Sequence, residues 1–270
     1  MMPVFSIFIL ISFVFASLLC IPSDAFYSSG RVRFGEVPLS FTGSSVVLRS
    51  TATTADSVCS TPTNVPDPDI SASVLRSIEV TDMDGSRINL GDAIGRNAIV
   101  VFLRHLACPY CWSYAKEWSD LQSEMKNSNI SGPFFISIGD QEKLQKFLEL
   151  NPFMEREKVF VDDFTDFKAY KAVGFGRFDQ TDKEVAKQVK LSAPTIGGIK
   201  SWWKYFTNLN VLSPIPQGLT FGQIPEGVLR LGGTFVVSGD DIIYRWSDRL
   251  PGDHPDVKQV LKIAQEKSMT

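Results

Sequence analysis

The chain has 270 residues, 44% of them hydrophobic, and a formal charge of -3. That length and apolar content are enough for a sizeable core in one or two domains. A weakly acidic balance without a long basic run gives no reason to expect nucleic acid as a partner, and four cysteines are too few for a disulfide scaffold.

Residues 4–19 form an uncharged apolar run, short of the roughly 20 residues a bilayer span needs. Pro22, Ser23 and Ala25 follow, as a small-residue cleavage site requires, so residues 1–25 read as a signal peptide despite an n-region without Lys or Arg. Residues 26–65 are rich in Ser and Thr, carry Arg31, Arg33 and Arg49, and hold only Glu36 and Asp56 as acids. That is the composition of a transit peptide. The tandem resembles the bipartite plastid-targeting leader of algae with secondary plastids. The junction Ser23-Asp24-Ala25-Phe26 is similar to the cleavage motif of such leaders, in which Phe heads the transit peptide, although Asp24 and Tyr27 depart from its commonest form. The resemblance implies a plastid protein with no membrane span after processing. A secreted protein with a Ser/Thr-rich stalk is the alternative.

Residues 66–270 are left as the folded domain. Pro66-Asp-Pro68 closes the linker. Val74 to Asp82 is predicted as a first strand, turning at Asp84-Gly85 into Arg87–Leu90, because Asp-Gly between strand-like runs signals a hairpin. Ala98-Ile-Val-Val-Phe-Leu103 then reads as a strand buried on both faces of a sheet. After it, Tyr110, Tyr114, Trp118, Leu121 and Met125 recur at helical spacing with charged residues between them.

The turn between that strand and that helix is Cys108-Pro109-Tyr110-Cys111. Unpaired amides and the positive end of the helix dipole favour a thiolate at Cys108, and Pro109 suits a first-turn position. Cys111 shares a helical face with Ala115 and Trp118. The geometry predicts an exposed nucleophile, Cys108, and a sheltered resolving thiol, Cys111. A strand-CxxC-helix arrangement reads as thioredoxin-like redox chemistry. A zinc site needs about four ligands, whereas Cys20 and Cys59 lie in the leader and His105 and His254 are the only histidines. No metal and no cofactor are assigned.

Asn129 to Pro133 ends the helix, Phe134–Ile138 is the next strand, and Gly139-Asp140 starts a helix burying Leu144, Phe147 and Leu148. Val159–Val161 is a short strand, and Phe164, Phe167 and Tyr170 predict a helix ending near Gly174. Residues 179–230 form an aromatic-rich insert, read as short helices near 185–190 and 199–206 plus an irregular loop. It is a candidate cover for the active-site face, as long excursions often are, or a packing insert elsewhere. Phe235–Val237 and Ile242–Trp246 flank a turn, and a last helix from Pro255 buries Val257, Val260, Leu261 and Ala264. The whole is α/β, a thioredoxin-like fold with a mixed sheet flanked by helices and an insert before the C-terminal hairpin.

Cys108-Pro-Tyr-Cys111 after a buried strand, Ala169-Tyr-Lys-Ala-Val-Gly174, Leu231-Gly-Gly-Thr-Phe-Val-Val237 and Gly252-Asp-His-Pro255 occur in that order. Together they resemble the peroxiredoxin-like 2 family of the alkyl hydroperoxide reductase/thiol-specific antioxidant superfamily. The resemblance implies a redox-active CxxC and thiol-dependent reduction of peroxides or endoperoxides, with a thioredoxin or glutathione system as external reductant. Arg104 matches a basic position of the family and is a candidate substrate contact. Ordinary peroxiredoxins carry Pro-x-x-x-Thr/Ser-x-x-Cys. Aligning their cysteine with Cys111 puts Cys108 at the hydroxyl position and Arg104 at the proline, so the peroxide-binding set is incomplete. Where thioredoxins have a cis-proline, Leu231-Gly232-Gly233-Thr234 stands here, with Gly233 and Thr234 as candidate substrate contacts. His105 is a candidate proton donor beside the motif, and His254 reads as a capping-turn residue. Two classes of function follow: an enzyme reducing peroxides, endoperoxides or disulfides, or a redox-sensing module whose CxxC disulfide switches partner interactions.

Overall fold

A computed structural model describes residues 70–126, 128, 130–216 and 223–268, all within the compact unit Ser60–Thr270. The leader segments 1–25 and 26–65 lie outside the described residues.

The first element departs from expectation. Ala72–Arg76 is a short helix, α1, capped by Ser71, whose hydroxyl accepts from the Val74 amide. Ala72 and Leu75 are its buried positions, so an apolar stretch that reads as strand is divided between this turn of helix and β1 (Glu79–Thr81). The Asp84-Gly85 turn does return the chain into β2 (Arg87–Asn89), antiparallel to β1, with Gly85 at a φ of 85°. After α2 (Leu90–Ala93) comes β3 (Asn97–His105), every residue of which beyond Asn97 is buried.

The CxxC helix α3 spans Pro109–Asp120 and continues as α4 (Gln122–Lys126). Next are β4 (Ser131–Ile138), α5 (Gln141–Leu150) capped by Asp140 on the Lys143 amide, and β5 (Val159–Asp162). Strand β4 therefore begins earlier than expected, and its Gly132-Pro133 bond is cis. The helix predicted across Phe164 is confined to α6 (Lys168–Ala172), and Phe167 precedes it in the left-handed region. The insert holds α7 (Lys183–Gln188), α8 (Ile199–Leu212) and α9 (Glu226–Leu229); α8 is longer than expected. The hairpin β6 (Gly233–Ser238) and β7 (Asp241–Ser247) leads to α10 (Val257–Ser268).

The seven strands form one sheet in the order β2-β1-β5-β4-β3-β6-β7. Strands β3, β4 and β5 are parallel, and β1 and β6 are antiparallel to their neighbours. This is the thioredoxin/peroxiredoxin-like architecture: a mixed sheet flanked by helices, with the CxxC helix rising from the carboxyl end of a central strand. Phe102 packs edge-on to Tyr170, Phe175 and Phe235 at 5.3–5.9 Å. Each such fully buried side chain contributes about 1.5–3 kcal/mol of transfer free energy. The Tyr170 hydroxyl lies among the carbonyls of Leu103, Arg104 and Ile136, which fixes the end of β3 where the site begins.

Candidate active site

Cys108 is the residue at the cap of α3, with its amide bonded to the His105 carbonyl at 2.9 Å and no side-chain capping bond. Cys111 is one turn further in, and both are free thiols. The expected contrast in exposure is not found. Cys108 is 0% exposed and Cys111 1%. The expectation rested on the local position at a helix start, and segments distant in sequence close over that position.

Arg104, the last-but-one residue of β3, is central to this closure. Its Nη1 lies 3.5 Å from Cys108 Sγ, its amide donates to Cys111 Sγ at 3.2 Å, and its Nε donates to the Arg230 carbonyl at 3.1 Å. Its Nη2 donates to the Val228 carbonyl, which ties the end of the insert to the dithiol. The guanidinium also sits 5.5 Å from the Phe178 ring centroid. From α8, the fully buried Tyr205 donates its hydroxyl to the Ala107 carbonyl at 2.8 Å and packs edge-on to Trp112. Trp112 in turn donates its indole N–H to the Leu106 carbonyl. The insert thus packs directly over the CxxC turn, while α8 leaves Ile199, Trp203 and Phe206 exposed. Of the expected stripe, Tyr114, Trp118, Leu121 and Met125 are buried, whereas Tyr110 is only half-buried; Trp112, outside that stripe, is buried as well.

These contacts drive the two sulfurs apart in acidity. Burial pushes the Cys108 thiol up, but the Cys111 thiol as donor, the Arg104 charge, the Cys111 amide and His254 outweigh it and bring Cys108 down to about 5. Burial pushes Cys111 well up, and the neighbouring Cys108 adds to that. A thiolate at Cys108 beside a protonated Cys111 is the consequence.

The other candidate residues are placed as follows. Thr234 is buried, and its hydroxyl pairs with the Tyr114 hydroxyl at 3.1 Å. At Gly233 a Cβ would stand 2.2 Å from the Trp246 carbonyl oxygen and 2.5 Å from the Phe175 ring, so the close approach there is made by the protein itself. His105 is buried with Nδ1 unpartnered, and burial, then Arg104, hold its pKa well below the usual value. His254 is not a cap: α10 is capped by Asp256, whose carboxylate accepts from the Gln259 amide. Instead His254 pairs with Asp248 and stacks on Tyr114. Its only signal in the sequence is its place within Gly252-Asp-His-Pro255.

Fold and site together define a thioredoxin/peroxiredoxin-like α/β protein with a dithiol at the first turn of the helix after a central strand. The family model described as "AhpC/TSA antioxidant enzyme" matches residues 118–250, a little under half of the chain, and that stretch is similar to the AhpC/TSA family. That match begins downstream of both cysteines. Mouse peroxiredoxin-like 2C is 24% identical over 197 residues, covering 71% of this chain and 79% of that one. The chloroplastic thioredoxin-like protein AAED1 of Arabidopsis thaliana is 24% identical over 192 residues, 71% of each. Both are distant homologues. Among solved structures, peroxiredoxin Q of Xanthomonas campestris superposes with a TM-score of 0.41 at 11% identity, covering 77% of this chain and 96% of that one. Peroxidoxin BcpB of Mycobacterium tuberculosis gives 0.42 at 14%, over 78% and 97%. Among the described residues, no helix is long and apolar enough to cross a membrane.

Proposed function

We propose that the chain is a thiol-dependent antioxidant oxidoreductase that reduces peroxides, endoperoxides or disulfides through Cys108 and Cys111. The observation that carries this reading is the buried dithiol, with Arg104 3.5 Å from Cys108 Sγ and the acidities of the two sulfurs split in opposite directions.

In this scheme the Cys108 thiolate attacks a peroxide oxygen. An S–O bond forms, the O–O bond breaks, and the leaving oxygen takes a proton to depart as alcohol or water. Cys111, once deprotonated, attacks the sulfenic sulfur, expels water and closes the disulfide. Two electrons and two protons from an external dithiol, or from two glutathione thiols, restore the pair. With a disulfide substrate, Cys108 attacks sulfur instead, and Cys111 resolves the mixed disulfide. Arg104 holds the negative charge that develops at Cys108 and on the leaving oxygen. Thr234 is the candidate second contact, reached through Tyr114, while Gly233 keeps the strand close.

Complete burial of Cys108 favours a second reading, a redox-sensing module in which disulfide formation switches partners with little turnover. Coupled turnover of the full chain with hydrogen peroxide, an organic hydroperoxide and a small disulfide, each with thioredoxin and glutathione systems, separates them. Turnover abolished by Cys108→Ser supports the enzyme. A stable disulfide with no turnover in any combination overturns it. For location, a plastid site reached through a leader in residues 1–65 is the favoured reading, in line with the chloroplastic relative. A reporter fused to residues 1–65 should reach the plastid, and secretion would sink this.

A further inference from the structure

Helix α8 presents an apolar face to solvent. Ile199, Trp203 and Phe206 follow one another at spacings of four and three, in one line along the helix. They are 89%, 72% and 53% exposed. The half-buried Trp202 stacks on Phe206, with centroids 5.5 Å apart and planes 29° from parallel. These side chains form one contiguous patch, which scattered surface residues do not.

The patch is held out on a fixed support. On its other side α8 buries Tyr205, Leu209 and Leu212, and the Tyr205 hydroxyl is bonded to the Ala107 carbonyl. Lys204 Nζ donates to the Leu150 carbonyl at 3.2 Å, at the end of α5. Polar groups beside the patch already have partners within the helix. Thr207 donates its hydroxyl to the Trp203 carbonyl at 3.0 Å, and the Asn208 amide donates to the Lys204 carbonyl at 2.8 Å. They add little desolvation cost when the face leaves water.

The charge around the face selects its partner. The chain is acidic overall, at -3, yet between Glu184 and Glu226 the sequence has four lysines and no acidic residue. Lys187 is paired with Glu184 at 2.8 Å. Lys190 and Lys200 are exposed and form no ion pair among the described residues. On α5, which packs against α8, Glu149 is engaged by Lys146 at 2.9 Å. The patch therefore lies in a cationic surround. Protein interfaces are depleted in lysine, whereas Trp and Phe flanked by Lys place a helix in the headgroup layer of an anionic membrane. At 14 residues α8 is about 21 Å long. That is short of the roughly 20 residues of a span, so such a helix lies along the surface.

We propose that α8 is a membrane-docking helix. Ile199, Trp203 and Phe206 enter the headgroup boundary of an anionic lipid bilayer, and Lys190 and Lys200 meet its phosphates. The inference goes beyond the redox reading and needs no turnover.

The test is sedimentation of the full-length chain, at low salt, with vesicles of phosphatidylcholine alone or mixed with phosphatidylglycerol. Residues 4–19 are apolar too, so each variant is compared with a parent that carries the same N-terminal segment. Phosphatidylglycerol should tighten binding. Lys190→Gln with Lys200→Gln should weaken it roughly 30-fold, the loss expected for two charges near an anionic surface. Trp203→Ala should weaken it about tenfold. All three side chains are exposed, so both variants should melt like the parent, and unchanged affinity in both overturns the proposal. The local contact is also read directly. Brominated lipid should quench the Trp203 emission, taken as the difference between the parent and Trp203→Phe, and an unquenched Trp203 is equally fatal. Two other occupants would show themselves. If Trp203→Ala turns a dimer into a monomer and leaves vesicle binding as it was, the face belongs to a second copy. If the parent stays in the supernatant with every vesicle, the face is left to another protein. Either result overturns the membrane reading. Cys108→Ser should sediment like the parent, so loss of turnover and loss of docking are separate failures.

Discussion

Replacing Arg104 with Gln isolates the strongest electrostatic contact of the site. Nη1 lies 3.5 Å from Cys108 Sγ in a fully buried setting, and an opposite charge this near lowers an acid by about 1–3 pK units, each about 1.4 kcal/mol. Taking about 2 units as the central value, Arg104→Gln moves Cys108 from about 5 to about 7. Near pH 6 the thiolate fraction then falls from about 0.9 to about 0.1, a roughly tenfold loss in alkylation rate. Near pH 8.5 both proteins are ionised, and the ratio approaches one. The higher basicity of the variant thiolate offsets part of the loss, because nucleophilicity rises with pKa. The assay is the iodoacetamide rate from pH 4 to 9 at low reagent concentration, with thermal melts run in parallel because Gln also gives up donors to the Val228 and Arg230 carbonyls. A rate ratio that is constant across pH would mean that Arg104 controls access and not ionisation, and would refute the reasoning.

Cys111→Ser should let Cys108 react once and stop, accumulating a sulfenic acid or mixed disulfide on Cys108 that trapping and mass spectrometry detect. An adduct on Cys111 in the Cys108→Ser protein, with none on Cys108 in the reverse variant, would exchange the two roles. Tyr205→Phe deletes the 2.8 Å bond to the Ala107 carbonyl and should cost about 1 kcal/mol of stability without moving the pH midpoint of Cys108; a shifted midpoint contradicts this. Burial raises Asp162 to about 6 despite its bonds from the Ala169 and Tyr170 amides. The folded chain therefore keeps a proton that the unfolded one releases near pH 4, so this carboxyl's contribution is full below that pH and lost as pH rises through 6. Asp162→Asn should abolish a fall of at most about 3 kcal/mol across that window, and denaturant midpoints measured at several pH values check it.

Much of the frame is legible from local pattern. The run Ala98–Leu103, the Pro109 start and the apolar spacing through Trp118 specify strand, turn and helix within one stretch, and the β6–β7 hairpin carries its own turn. Ala72–Arg76 is not legible as helix, because a five-residue segment has little periodicity and the Ser71 cap decides its form. Beside the buried Cys108, Tyr205 bonds to Ala107 and the Val228 and Arg230 carbonyls bond to Arg104, and no local rule connects those residues to this turn. His254 was hidden for a related reason. A histidine before a proline at a helix start resembles a capping turn until the fold brings Asp248 and Tyr114 against it.

A sulfur with no accessible surface reacts only after something moves, so every reaction of Cys108 comprises two events in series. While reagent is dilute, the observed rate is the product of a small open fraction and the intrinsic chemistry, and it carries the full pH dependence of the thiolate. As reagent becomes concentrated, the rate reaches a ceiling set by opening alone. At that ceiling iodoacetamide, hydrogen peroxide and a bulky hydroperoxide converge on one rate constant, and pH no longer distinguishes them. The height of the ceiling is a clock for whatever motion uncovers Cys108, readable without any structural probe.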